Sequence, residues 1–308
     1  MALGQMVIDG FVFSSIIILG SIGLSLVYAI ANFPNFAHGD LMAVGAYVAI
    51  VVNVMLGLHL GIALIVAMLA TGIIAVWTNR AIFKPLEGRA IELLIISIGV
   101  AFLYRGVIQL GFGSGSRSYD VGGRGGIPWI RDMFGVALTL RGLSVIVITA
   151  ILVLALHIML QYTTLGRMMR ATADNKDLAR VSGIRTDDII RTMWLVGGAL
   201  AGAGGVFLGL ALLVRPRMGF AILLVLFAAV ILGGIGSIYG AVLGGFVIGM
   251  AYELTPALGN TFEFINGYLP YAILPEIGSE YKAAVAFIIM ILILLIKPTG
   301  IMGGKTSA

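Results

Sequence analysis

The feature that most constrains this chain is a recurring apolar run about twenty residues long. A run of that length is what an α-helix needs to cross the ~30 Å hydrocarbon core of a bilayer. Phe11 to Ile30, Ile91 to Phe112, Leu143 to Tyr162 and Thr192 to Leu213 each fit one crossing. Leu41 to Trp77 holds two shorter helices that turn near Gly57-Leu58-His59-Leu60-Gly61. Phe220 to Tyr252 is too long for one span and is interrupted by glycines, and Ala283 to Ile296 gives a last helix before Lys297-Pro298. Inside lipid every backbone polar group must be satisfied within the crossing segment, which a helix does by itself. The predicted fold is therefore all-α: a polytopic transmembrane bundle of about eight to ten helices, some discontinuous, in one membrane domain over residues 1–308.

Composition agrees. Only 11% of the 308 residues are charged and 60% are hydrophobic, against roughly 25% charged in an ordinary soluble domain. The 43 glycines suit helices whose backbones approach closely. A soluble enzyme, a nucleic-acid binder and a disordered tail are excluded. The absence of cysteine removes disulfides, thiolate zinc sites and thiol nucleophiles. No Lys or Arg precedes the first apolar run, which reads as a first membrane helix and not a removed signal peptide.

Basic residues set the orientation. Thr163 to Arg191 carries Arg167, Arg170, Lys176, Arg180, Arg185 and Arg191; Trp77 to Glu92 adds Arg80, Lys84 and Arg89; the tail adds Lys297 and Lys305. Glu253 to Glu280 has four Glu and no Lys or Arg. The positive-inside rule puts the basic segments in the cytoplasm and the acidic one outside. Ser114 to Arg141 conflicts with this pattern, since span parity puts it outside although it holds four arginines.

Two interrupted segments are candidates for the substrate path. In the first, Ile30 to Tyr47, Asn32, Asn35, His38, Gly39 and Asp40 lie between two apolar helices. This is either a turn with Asp40 as an N-cap, or a discontinuous helix lining a translocation path, since polar groups at membrane depth tend to face a cavity. In the second, Ala228 to Gly249, Gly236, Gly240 and Gly244 repeat at four-residue spacing with Gly245 and Gly249. That spacing indicates helix packing, as do Gly198-Gly202 and Gly205-Gly209. Gly233, Gly234, Gly236 and Ser237 form its bend, and a glycine-interrupted segment in each half of a transporter points to the path.

Tyr162 to Arg191 is polar, basic and helical in pattern. Leu165, Met169, Ala173 and Leu178 can share a stripe, Arg170 and Asp174 can pair at i,i+4, and Gly183 looks like a helix stop. With no Trp or Phe to anchor in headgroups, it fits the groove of a cytoplasmic partner better than a lipid surface. Arg105, inside an apolar helix, either snorkels or pairs with a carboxylate. No catalytic signal stands. The tail lacks the first glycine of a phosphate loop, the three histidines lack metal spacing, and Asp120 lies in a solvated loop unsuited to intramembrane proteolysis. No metal and no cofactor are expected.

Asn35 to Tyr47, Thr164 to Ile184, Ala228 to Gly245 and Lys297 to Gly303 occur in an order that resembles the permease of a branched-chain amino acid ABC importer of the LivH type, with Pro34 as one departure. The resemblance implies a multi-pass subunit of the prokaryotic cytoplasmic (inner) membrane. Such a subunit translocates branched-chain or other small amino acids. Its implied partners are two ATP-binding cassette subunits, a second related permease (a heterodimer) and an extracytoplasmic amino-acid-binding protein. ATP hydrolysis falls to the partners, so the chain itself is not expected to be an enzyme. Leu165 to Ile184, within 163–191, becomes the coupling helix, with Gly166, Arg167, Arg170, Ala171, Asp174 and Gly183 as its marked positions. Glu253 to Glu280 becomes the surface offered to the binding protein. A urea or short-amide permease looks very similar, and a stand-alone carrier or channel would need Asp40 as its coupling carboxylate.

Overall fold

The computed structural model describes residues 3–86, 89–122, 126–127, 135–266 and 278–303. The first helix, α1 (Leu3–Ala31), is followed by α2 (Ala37–Ile50), α3 (Leu60–Thr78), α4 (Ala90–Phe112) and α5 (Leu140–Tyr162). Two short helices, α6 (Thr164–Asp174) and α7 (Lys176–Val181), precede α8 (Thr186–Ala211), α9 (Met218–Gly233), α10 (Ile238–Asn266) and α11 (Lys282–Ile296). Wider helical turns extend α2 through Met55 and α3 through Phe83, and a 3-10 turn carries the latter to Leu86. Among the described residues seven helices are long and apolar enough to cross a bilayer, and α9 and α11 are shorter apolar ones. No strand forms among the described residues. The all-α membrane bundle expected from the apolar runs is the fold observed.

The glycines explain how the helices pack. Along α8, a Cβ at Gly198 or Gly202 would strike Thr71 of α3, and one at Gly205 would strike the Met42 backbone of α2. On α10, Gly244 faces the Ala229 carbonyl of α9, while Gly245 and Gly249 face Ile18 and Ser14 of α1. Lipid offers no hydrophobic drive to hold helices together, so close backbone contact and interhelical hydrogen bonds do so. Ser21 Oγ donates to the Ala241 carbonyl at 3.0 Å and Ser14 Oγ to Phe246 at 3.1 Å. Helices α1 and α8 form the buried centre; α3, α4 and α5 lie at the periphery. Gly236 is not a packing residue: at φ 78° it sits in the turn between α9 and α10.

One end of the bundle gathers residues 84–86, 89–92, 163–191 and 297–303, and the positive-inside rule makes it cytoplasmic. The opposite end carries residues 113–122, which form an isolated antiparallel bridge from Arg117 to Val214. The arginines here are consumed locally. Arg117 donates to the Phe112 carbonyl at 2.9 Å, and Arg141 donates to the Val121 and Gly122 carbonyls. Arg124 and Arg131 lie outside the described residues. The acidic segment from Glu253 needs correction, because α10 continues to Asn266. Glu253 is thus helical, and its carboxylate holds Lys282 at 2.6 Å. Residues 267–277 of that segment lie outside the described residues.

Candidate functional site

The first break is a polar joint inside the bundle. Asn32, at φ 50°, stops α1 in the left-handed conformation that asparagine tolerates better than most residues. The chain then turns back along α1. By His38 its ring Nε2 is 3.0 Å from the Gly20 carbonyl, eleven residues or about 16 Å of helix before Ala31. Helix α2 therefore begins within the bundle. Asn35 Oδ1 accepts from the Ala37 N–H at 3.0 Å, and Ser97 Oγ accepts from the Phe36 N–H at 3.0 Å. These bonds satisfy backbone groups that a break at membrane depth leaves bare. Asn35, His38, Gly39 and Asp40 are all buried, and Asn32 is exposed at the cytoplasmic end.

Asp40 does not cap α2. Its side chain is 0% exposed and accepts from Arg105 of α4 twice: Nη2 to Oδ2 at 2.8 Å and Nε to Oδ1 at 3.2 Å. A bidentate pair of this kind is the strong form of the contact. The Arg105 side chain is 12% exposed and lies over Phe102 and Phe220, 5.2 and 5.0 Å from their ring centres. Of the two readings of Arg105, pairing holds. Beside Asp40, Gly39 meets Gly219 backbone to backbone, and neither position has room for a Cβ. Helix α9 thus also starts inside the bundle, after an irregular segment whose turn at Pro216 and Arg217 is closed by the Met218 N–H on the Arg215 carbonyl at 3.1 Å. Sequence reasoning missed that second internal start, although Arg215-Pro216-Arg217 after an apolar run was its available signal.

The second break is a closed turn. Gly233 faces the Gly240 carbonyl, and Gly234, at φ 106°, faces Gly303 and Gly300. Ser237 Oγ accepts from the Gly240 N–H at 3.0 Å and caps α10. The tail motif seals the bend. The Ile301 N–H donates to the Leu232 carbonyl at 2.8 Å and the Met302 N–H to Gly233 at 2.9 Å.

The cytoplasmic segment is two helices where one was expected. Asn175 ends α6 and caps α7, its Oδ1 accepting from the Leu178 N–H at 2.9 Å. Thr163 caps α6 through the Gly166 N–H at 3.1 Å. Gly166 lies against the Met159 and Leu160 carbonyls, so α6 can fold sharply off α5 only without a side chain there. Arg170 reaches back to the Leu160 carbonyl and does not pair with Asp174. An unsatisfied carbonyl at the end of α5 is a stronger draw than a solvated i,i+4 carboxylate. Met169 is buried, while Leu165 and Ala173 are half-buried; Leu178 is 64% exposed and Val181 87% exposed, off the inward stripe. Arg167 and Asp174 point to solvent, and Ala171 is half-buried. Gly183, at φ 85°, ends α7, with the Ile184 N–H bonding back to Ala179 at 3.0 Å. No group of acidic and His side chains that could hold a metal occurs among the described residues.

Comparison with known proteins covers nearly all of the chain. The family model described as branched-chain amino acid transport system / permease component matches residues 6–294. The high-affinity branched-chain amino acid transport system permease protein LivH of Escherichia coli (strain K12) is 31% identical over 97% of this chain and 95% of its own. The corresponding protein BraD of Pseudomonas aeruginosa is also 31% identical, with the same coverages. Among solved structures, PsaBC from Streptococcus pneumoniae in complex with Fab matches with a TM-score of 0.51 at 12% identity, covering 97% of this chain and 93% of that one. This last likeness is one of fold.

Proposed function

The chain belongs to the family of permease components of branched-chain amino acid transport systems, and on that premise we propose that it carries leucine, isoleucine or valine inward across the cytoplasmic membrane. It is a multi-pass subunit of an ABC importer, a family that works with ATP-binding subunits and an extracytoplasmic binding protein. In our reading two ATP-binding subunits and a second, related permease complete the assembly.

The observation that carries this reading is the surface of α6 and α7. Leu178 and Val181 project from the cytoplasmic end, with exposed Arg167, Asp177, Arg180 and Arg185 around them. Two large aliphatic side chains standing in water within a rim of charge form the pattern of a docking helix. Gly166 and the Thr163 cap fix α6 at the end of α5, so force applied to the docked helix passes directly into a membrane helix. The positions Gly166, Arg167, Arg170, Ala171, Asp174 and Gly183 are assigned to this coupling. The breaks at Asn32 to Asp40 and Gly233 to Ser237 are assigned to the substrate path, as joints that meet it when the bundle opens toward the second permease. A carrier working alone would need a free carboxylate in the membrane, and Asp40 is held by Arg105.

Tagging the chain in its own host, extracting it in mild detergent and identifying what co-purifies tests the reading. Two ATP-binding subunits and a sister permease are expected. In liposomes, radiolabelled leucine should enter only with ATP and the binding protein. A chain that purifies alone and moves solute without ATP would refute it.

A further inference from the structure

We propose that the cytoplasmic end of α3 holds an anionic phospholipid, with its phosphate on Arg80 and Arg191 and an acyl chain in the groove between α3 and α8. The outward face of α3 presents Ile62, Ile65, Leu69, Ile73 and Trp77 at intervals of three or four residues, all exposed. The stripe ends at Trp77, 63% exposed, and Arg80 follows on the same face, also exposed. Aliphatic side chains, then an indole, then a cation is the order in which a membrane interface sorts side chains by depth.

Two cavities meet at Arg80 and Arg191. One, of about 360 Å³, is an apolar groove formed with Ile73, Val76, Trp77 and Leu195. The other, of about 480 Å³, runs inward past Lys84, Asp187 and Trp194 toward the end of α1. The groove is apolar, as an acyl chain requires, and the mouth it shares with the inner cavity offers the Arg80 and Arg191 guanidinium groups, with Lys84 beyond, to a headgroup.

Charge selects the kind of headgroup. Lys84 is held by Asp187 at 2.8 Å, whereas Arg191 and Arg185 share Asp188 at 3.3 and 3.5 Å. Arg80 has no hydrogen-bond or ion-pair partner among the described residues. The pocket therefore keeps a cationic excess, and guanidinium groups match phosphate oxygens in pairs. A phosphatidylcholine brings its own ammonium beside its phosphate and gains little here. A phospholipid with net negative charge gains fully, as in other basic pockets between membrane helices on the cytoplasmic side.

Trp77 is the reporter. The full chain is reconstituted in phosphatidylcholine vesicles doped with chain-brominated phosphatidylglycerol or chain-brominated phosphatidylcholine. Quenching is read as the difference between the unaltered chain and Trp77→Phe. Brominated phosphatidylglycerol is expected to quench at a several-fold lower mole fraction. That preference should fall about fivefold in Arg80→Gln, persist in Arg80→Lys and shrink as salt is raised. Arg80 makes no hydrogen bond or ion pair among the described residues, so circular dichroism of Arg80→Gln should be unchanged. Equal quenching by both lipids overturns the proposal, as does a preference that survives Arg80→Gln together with Arg191→Gln. Shielding of Trp77 from both lipids also overturns it, because a protein partner would then cover the face.

Discussion

Asp40→Asn is expected to destabilise the chain by about 3 kcal/mol, and altering Arg105 as well should recover most of that. Removing one member of a buried ion pair costs about 3–5 kcal/mol, because the other charge is left buried without its partner. The lower end applies here for three reasons. Arg105 retains 12% exposure and can tip its guanidinium toward water. It also keeps the faces of Phe102 and Phe220 at 5.2 and 5.0 Å, each contact worth about 0.5–2 kcal/mol. Asparagine still accepts one of the two hydrogen bonds.

The measurement is a double-mutant cycle with Asp40→Asn, Arg105→Met and both together, read by unfolding of the reconstituted chain. A coupling energy above about 2 kcal/mol is expected. Interhelical hydrogen bonds in a membrane protein average about 0.6 kcal/mol and reach about 1.7, so only an ion pair held out of water exceeds that range. A coupling near the average would mean that the pair does not join α4 to α2, and the reasoning would fail.

Glycine positions give a paired test. Gly205→Leu puts a side chain into the Met42 backbone and should abolish folding, whereas Gly99→Leu enters open space and should leave thermal stability within about 0.5 kcal/mol. Leu178→Glu with Val181→Glu should remove ATP-binding subunits from the purified complex while the chain unfolds at the same temperature; retained subunits would displace the docking surface from α7. Arg170→Glu should let ATP hydrolysis run without uptake, and tight coupling in that variant would count against the role given to α6. Asn35→Ala removes the acceptor of the Ala37 N–H at the start of α2 and should cost about 1 kcal/mol, and uptake by Asn35→Ala or His38→Ala should fall with the complex intact. Unchanged uptake in both would remove the first break from the path.

The helices were legible because each carries its own apolar length, and the turns at Gly57 and at Gly234 to Ser237 because glycine is required there. The depth at which a helix begins was not legible. Asn32-Phe-Pro-Asn35 reads as an ordinary surface turn, and only the contact of His38 with Gly20 shows the chain doubling back into the bundle. Nor does sequence spacing relate Asp40 to Arg105, 65 residues apart; each alone is an anomalous charge, and the pair exists only once α4 packs on α2. The Asn175 break was hidden for a different reason. Every residue around it tolerates a helix, and the competing bond to the Leu178 N–H decides the local outcome.

Two helix starts that meet inside the membrane give the molecule a fixed point. The first turn of α2 carries a partial positive charge, and Asp40 lies within that turn while accepting from Arg105. The carboxylate does not cap the helix, but its charge is favourable beside that terminus while both its oxygens are held by the guanidinium. A motion separating α2 from α4 would leave Asp40 and Arg105 each buried without its partner. Sliding at the glycine faces of α8 and α10 breaks no fully buried ion pair: backbone there meets mostly backbone or small side chains, and the pair that joins α3 to α8, Lys84 with Asp187, is solvent-exposed. The architecture thus offers a division of labour: α2, α4 and α9 are pinned at Asp40 and Gly39, and under the coupling proposed for α6, displacement passed through Gly166 to α5 would be taken up across the glycine-lined interfaces.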